Sequence, residues 1–269
     1  MAEGTCFTAA DHTWLVCAYK ESPYLENCIQ SLLKQTEKSG IQISTSTPND
    51  FIAKVAEQYG IKLIVHDGEP GIGTDWDFAL QNGNTELLTI AHQDDLYEPN
   101  YTAEMLKKMN SVRNPILFSS NYAELRNGQK ITNNKNLRIK HILVVPMRLF
   151  PGWRFARRLS LAFGCSICCP SITYRKSIMR EYHFSREMKC DLDWDMEERL
   201  SRLKGSFAYD SRPLMCHRIH EESATTELIG ERTRNREDYE MISRFWPKWI
   251  AKGLSKAYAK SEESNRIAN

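Results

Sequence analysis

No long apolar run occurs anywhere in this chain. None of its 269 residues belongs to a stretch approaching the roughly 20 consecutive apolar positions that a membrane-spanning helix requires. The N-terminal residues do not pair a basic segment with an apolar one, so no secretory signal is expected and a cytoplasmic location is, with contact at the inner face of a membrane left open. An excess of one charge is lacking too. With 36 Lys and Arg against 34 Asp and Glu the net charge is +2, too small to make nucleic acid the expected partner. Glycine is not patterned for dinucleotide binding: in Gly68, Gly71 and Gly73 no third glycine follows at the right spacing and no strand feeds directly into the first, which argues against a dehydrogenase. A phosphate loop of the Walker type is likewise missing, so a nucleoside triphosphatase is unsupported. The 8 cysteines lie among apolar neighbours and are expected to be free and mostly buried. Cys165, Cys168 and Cys169 have part of a zinc spacing without the matching second pair.

What the chain does contain is an alternation of strand and helix patterns. Trp14 to Ala18 reads as a strand, and Ser22 followed by Pro23 as a helix start. Tyr24, Leu25, Cys28, Ile29, Leu32 and Leu33 then recur at helical spacing. Ile41 to Ser46 is a second strand, and Pro48, Asn49 and Asp50 open a second helix that Gly60 is placed to end. Ile61 to Val65 is a third strand. The turn from Gly68 to Gly73, read as needing positive φ rather than as a ligand contact, leads to a helix with Trp76 and Ala79. This order predicts an α/β fold with a mostly parallel sheet and helices on both faces.

Leu87 to Ala91 is a short apolar run that ends at Asp94 and Asp95. Such a run reads as a buried strand, and the C-terminal edge of an open α/β sheet is where ligands bind. Two adjacent carboxylates repel each other and resist burial, which a divalent cation relieves. Their hard oxygens favour Mg2+ or Mn2+, ions that arrive with substrate phosphates. Capping of a helix that begins near Pro99 is the other use open to this pair.

The segment LVCAYKESPYLENCIQSLLKQT, Leu15 to Thr36, resembles the opening of the GT-A family 2 glycosyltransferases, and HQDD resembles their DxD segment with His92 at its first position. The resemblance implies a GT-A fold, a Rossmann-like nucleotide-binding half at 1–125 and an acceptor-binding half at 126–260, followed by a polar tail at 261–269. It implies a nucleotide-diphosphate sugar as donor, contacted by Ala18, Tyr19, Glu21, Ser44, Asp67, Asp94 and Arg218. It also implies Mn2+ or Mg2+ on Asp94, Asp95 and His220. Ser44 and Thr45 stand where the family usually has acids that read the base.

In MKCDLDWDMEERLSRL, Leu192, Met196, Leu200 and Leu203 mark a helix whose first turn carries Asp191, Asp193 and Asp195, as the helix dipole alone would favour. LDWDM resembles the family segment in which the aspartate before tryptophan is the base, here Asp193, with Leu192 replacing the usual glutamate. The implied reaction is metal-dependent, inverting transfer of a sugar to a hydroxyl of a glycan or lipid-linked acceptor, in surface polysaccharide or glycan assembly. A non-catalytic nucleotide-sugar binding protein and a metal-dependent nucleotidyltransferase are the alternatives, and the latter would need a basic triphosphate loop. Gly164 to Lys176 resembles the family's acceptor-side strand and loop. Before it, Leu137 to Phe163 mixes Trp153 with Arg138, Lys140, Arg148, Arg154, Arg157 and Arg158, which suits either a peripheral membrane contact or a partly buried insertion with a solvated basic face. Phe245 to Lys260 reads as an amphipathic helix that covers the core, touches a membrane or forms a homo-oligomer.

Overall fold

The computed structural model describes residues 6–220 and 231–266. Its first half builds strands β1 (His12–Ala18), β2 (Gly40–Thr45), β3 (Lys62–Val65) and β4 (Leu87–His92), with helices α1 (Leu25–Leu33), α2 (Asp50–Gln58) and α3 (Ile72–Asn82) between them. These strands lie in the order β3-β2-β1-β4 and all run parallel. Their side chains alternate between two cores. Trp14 and Val16 enter one cluster with Ile29 and Ile52, while Leu15 enters the other with Leu88, Ile90 and Trp194. Burial on both faces is why these strands read as continuous apolar runs rather than as alternating patterns.

β5 (Leu96–Tyr97), α4 (Tyr101–Ser111), β6 (Pro115–Arg126) and β7 (Gln129–Ile131) follow, then α5 (Lys135–Leu143), α6 (Val145–Leu149) and α7 (Arg154–Leu161). The chain continues through β8 (Thr173–Arg175), α8 (Lys176–Met179), α9 (Leu192–Ser201), β9 (Ser206–Ile219), α10 (Glu231–Ser243) and α11 (Lys248–Arg266). The short β8 inserts antiparallel between β4 and β6, β9 runs parallel to β6, and β5 closes the edge antiparallel to β9. The sheet formed by the described residues is thus mixed, with its first four strands all parallel. No helix among the described residues is long and apolar enough to cross a membrane.

Several local expectations are corrected. α1 begins at Leu25, two residues later than Ser22 and Pro23 suggested, although the Ser22 hydroxyl still accepts from the Tyr24 N–H at 3.3 Å. Gly68, Gly71 and Gly73 do not adopt positive φ; Gly71 is extended at −179°, whereas Gly60, which ends α2, is at +60°. Close packing explains two of them, because a Cβ on Gly68 would lie 2.5 Å from His66 Nε2 and one on Gly73 would lie 3.1 Å from Leu192. α4 starts at Tyr101 with Asn100 as its cap residue, so Asp94 and Asp95 do not cap it. The helix read as Phe245 to Lys260 is α11, which starts at Lys248 and extends to Arg266; residues 267–269 lie outside those described.

Candidate active site

β4 ends at His92, and a tight turn follows in which the Asp95 N–H donates to the His92 carbonyl at 3.2 Å. The turn is braced from β1: the Tyr19 N–H donates to Gln93 Oε1 and Gln93 Nε2 donates to the Tyr19 carbonyl, each at 3.0 Å. Ala18 is buried beside it and Tyr19 is exposed. Pairing of Leu96 with Cys216 then lays the end of β9 across the two acids. Asp95 is fully buried, and its carboxylate accepts from the Arg218 N–H at 2.8 Å and from His217 Nδ1 at 3.1 Å. Burial alone would lower the His217 pKa, but the Asp95 carboxylate reverses this and raises it to about 9. His217 is therefore a cation at neutral pH.

Asp94 is placed differently. Its Oδ2 lies 2.9 Å from His220 Nε2, and its backbone carbonyl accepts from Arg218 Nε at 2.7 Å. Burial pushes Asp94 up, but His92, His220 and His217 outweigh it and hold the carboxyl below its ordinary value. The Arg218 guanidinium lies 4.2 Å from the centre of the Tyr24 ring, and His220 lies 5.1 Å from the same ring. Tyr24, Gln93 and His217 escaped the sequence reading. Only the nearness of His217 to His220 hinted at any of them.

His92, Asp94 and Asp95 bring ligand atoms within 4.8 Å of one another. His92 Nε2 is buried without a hydrogen-bond partner, and its ring stacks on Trp76 at 5.3 Å. Two carboxylates and an imidazole form a donor set that a divalent cation can accept. The residues present therefore fit a divalent cation. Asp94 is the better placed carboxylate to hold it, because Asp95 is already engaged by β9.

Across from this pair, the first turn of α9 sorts its three acids. Asp195 is consumed in ion pairs, with Arg199 at 2.7 Å and Arg244 at 2.5 Å. Asp191 is buried at the helix start, where burial and the neighbouring acids raise its pKa to about 9. Asp193 is only half-buried; its Oδ1 accepts from the Trp194 N–H at 2.9 Å and its Oδ2 faces the Cys165 thiol at 3.7 Å. Burial raises the Asp193 carboxyl, while Lys140 and His92 counter part of that rise. His92 thus bears on Asp94 and on Asp193 alike. Glu197, one helical turn on, is fully buried with both carboxylate oxygens unpartnered, and burial with the Asp193 charge pushes it well up. It is held neutral. The described cysteines are all free, and the Cys165 thiol joins Asp193 and Glu197 in a group whose ligand atoms lie within 4.8 Å of one another.

The structure thus gathers Ala18, Tyr19, Asp94, Asp95, Arg218 and His220 at one sheet edge. It leaves Glu21 and Asp67 exposed, and it buries Ser44 within β2, in register with Cys17.

A sequence model described as glycosyl transferase family 2 matches residues 13–182. The uncharacterized glycosyltransferase RT0329 of Rickettsia typhi is 22% identical over 241 residues, covering 85% of this chain and 69% of that protein. Other Rickettsia relatives are longer, and the chain spans 35% of their length. Among solved structures, the mannosyltransferase PcManGT from Pyrobaculum calidifontis, in complex with GDP-Man and Mn2+, has a TM-score of 0.63 at 14% identity, over 95% of this chain and 75% of that one. S. aureus TarS 1-349 in complex with UDP-GlcNAc has a TM-score of 0.62 at 12% identity, over 91% and 70%. Both neighbours share the GT-A fold with this chain.

Proposed function

This chain belongs to glycosyl transferase family 2, and from that membership we propose a metal-dependent, inverting transfer of a sugar from a nucleoside-diphosphate donor to an acceptor hydroxyl. The observation that carries the reading is the cluster at the end of β4, where ligand atoms of His92, Asp94 and Asp95 lie within 4.8 Å of one another and His220 Nε2 lies 2.9 Å from Asp94 Oδ2.

The donor diphosphate lies against Asp94, with His92 and His220 beside it and Asp95 fixing the turn through β9. Arg218 adds a cation whose guanidinium geometry matches phosphate oxygens. Mn2+ or Mg2+ held by Asp94 with these neighbours would offset the negative charge that grows on the leaving diphosphate. Ala18, Tyr19, Glu21, Ser44 and Asp67 remain the candidates for the nucleoside side. Asp193 takes the proton of the acceptor hydroxyl as its oxygen attacks the anomeric carbon from the face opposite the diphosphate. The new C–O bond forms as the bond to the diphosphate breaks, so the configuration inverts. A carboxyl raised by burial yet partly open to solvent is a stronger base than an ordinary one and stays reachable by the acceptor.

The acceptor is a glycan or lipid-linked hydroxyl, in polysaccharide assembly. Support for its side of entry comes from α5, whose Lys140 acts on Asp193, and from α7, whose Leu161 carbonyl accepts from the Trp194 indole at 3.0 Å. Calorimetric titration of UDP, GDP, CDP and dTDP, with and without Mn2+, tests the donor half. One nucleotide is expected to bind only with the cation and to lose that binding in Asp94→Ala. Failure of all four would overturn the donor reading.

A further inference from the structure

Acids are absent from Leu125 to Arg180, although the chain has 34 of them and this stretch contains twelve Lys and Arg. Some of these cations are committed within the fold: Arg157 is buried and donates to the Ser201 and Leu203 carbonyls, Arg158 pairs with Glu198, and Arg175 pairs with Glu86 at 2.8 Å. Lys135, Arg138, Arg148 and Arg154 are exposed on α5, α6 and α7.

Between those exposed cations lie large apolar side chains that the fold does not cover. Ile142 is 69% exposed, Leu149 58%, Trp153 63% and Phe155 73%, with Phe150 stacked on Trp153 at 4.8 Å. Most of the exposed large hydrophobics among the described residues fall in this one segment. The turn that leads into α11 abuts it, since Trp246 packs on Phe163 at 5.2 Å, and Trp249 at the start of α11 is 78% exposed. A monomeric protein does not ordinarily leave such a patch bare.

We propose that the α5–α7 surface is a docking site for an anionic lipid bilayer, with Trp153, Phe155, Phe150 and Ile142 entering the interface and Lys135, Arg138, Arg148 and Arg154 meeting the headgroups. Aromatic and aliphatic side chains flanked by cations are the composition that headgroup and upper acyl regions accept. A symmetric contact between two copies is disfavoured because it would set the exposed Lys135, Arg138, Arg148 and Arg154 against their own copies. The surface also adjoins the base: Lys140 of α5 acts on Asp193, and Arg158 of α7 pairs with Glu198 of α9. On the proposed role of Asp193 as the base, docking here would bring Asp193 toward the membrane, where a lipid-linked hydroxyl would be presented.

Sedimentation with sucrose-loaded vesicles tests this without any reference to turnover. The whole protein is expected to bind vesicles of phosphatidylcholine mixed with phosphatidylglycerol, to bind pure phosphatidylcholine weakly, and to dissociate at high salt. Arg148→Gln and Arg154→Gln are each expected to lower partitioning about fivefold, and Trp153→Ser with Phe155→Ser about tenfold or more. These side chains are exposed, so an unchanged circular dichroism spectrum and thermal midpoint will show that the variants fold. Equal binding to both vesicle types, or binding to neither, would overturn the proposal. So would a dimer, seen by sedimentation equilibrium, that the same substitutions dissociate.

Discussion

Asp94 Oδ2 lies 2.9 Å from Nε2 of His220, while the adjacent Asp95 is wholly buried against the backbone of Arg218. Neighbours in sequence therefore have separate tasks. Asp94 presents its carboxylate at the sheet edge, and Asp95 ties the β4 turn to β9.

That division predicts two different defects. Asp94→Asn is expected to leave the thermal midpoint nearly unchanged and to weaken Mn2+-dependent nucleotide binding about a hundredfold or more, since changes to outer-shell groups alone cost metal sites up to that much. Asp95→Asn removes the counter-charge of His217, whose side chain is 32% exposed, and is expected to cost about 2 kcal/mol of stability, below the range for wholly enclosed pairs. Urea unfolding and calorimetry on both variants check this. Equal loss of stability in the two would refute the division.

Asp193→Asn keeps the shape of the first turn of α9 but cannot accept a proton. Turnover is expected to fall about a thousandfold while donor binding persists. In the wild type, the rate is expected to rise with pH through a carboxyl pKa above the ordinary aspartate value, because burial raises it and only the ionised form is a base. A pH–rate profile and nucleotide titration on the two proteins make the comparison. A variant that still turns over would remove Asp193 from the role of base.

Glu197 predicts a gain instead of a loss. Its folded pKa is pushed well above its unfolded one, so its contribution to stability is present at low pH and is lost as the pH rises through the folded value. Glu197→Gln keeps the shape and removes the charge. The variant is expected to be more stable than wild type at neutral and alkaline pH, with the advantage shrinking in acid. Guanidinium unfolding across that range gives the sign directly.

Much of the first half was legible because local signals and tertiary packing agree there. The Leu87 to Ala91 run is β4 because both of its faces are buried, and Asn49 caps α2 by accepting from the Ile52 N–H at 2.9 Å. The choice of Asp193 over its two neighbours came from a family resemblance; the structure supplies a physical ground for it by occupying Asp195 with Arg199 and Arg244. Contacts between distant segments were not legible. His217 meets Asp95 across 122 positions, and Gln93 braces Tyr19 across 74, and neither pair has a local pattern. Gly68 and Gly73 were misread because a glycine required by close packing looks, in sequence, like one required by a turn.

A buried histidine far from the site makes the last prediction. His12, at the start of β1, is fully buried with Nδ1 2.9 Å from the Ser39 hydroxyl and Nε2 2.8 Å from the Thr89 hydroxyl. Burial lowers its pKa from 6.5 to about 3, so the fold holds the neutral ring while the unfolded chain takes up a proton below 6.5. Stability from this group is complete above the unfolded pKa and declines below it, by about 1.4 kcal/mol for each pH unit until the folded pKa is reached. His12→Gln retains polar atoms for Ser39 and Thr89 without a proton to gain. Unfolding measured between neutral and mildly acidic pH is expected to show a shallower decline in the variant than in the wild type. Parallel curves would mean that another group carries the acid sensitivity.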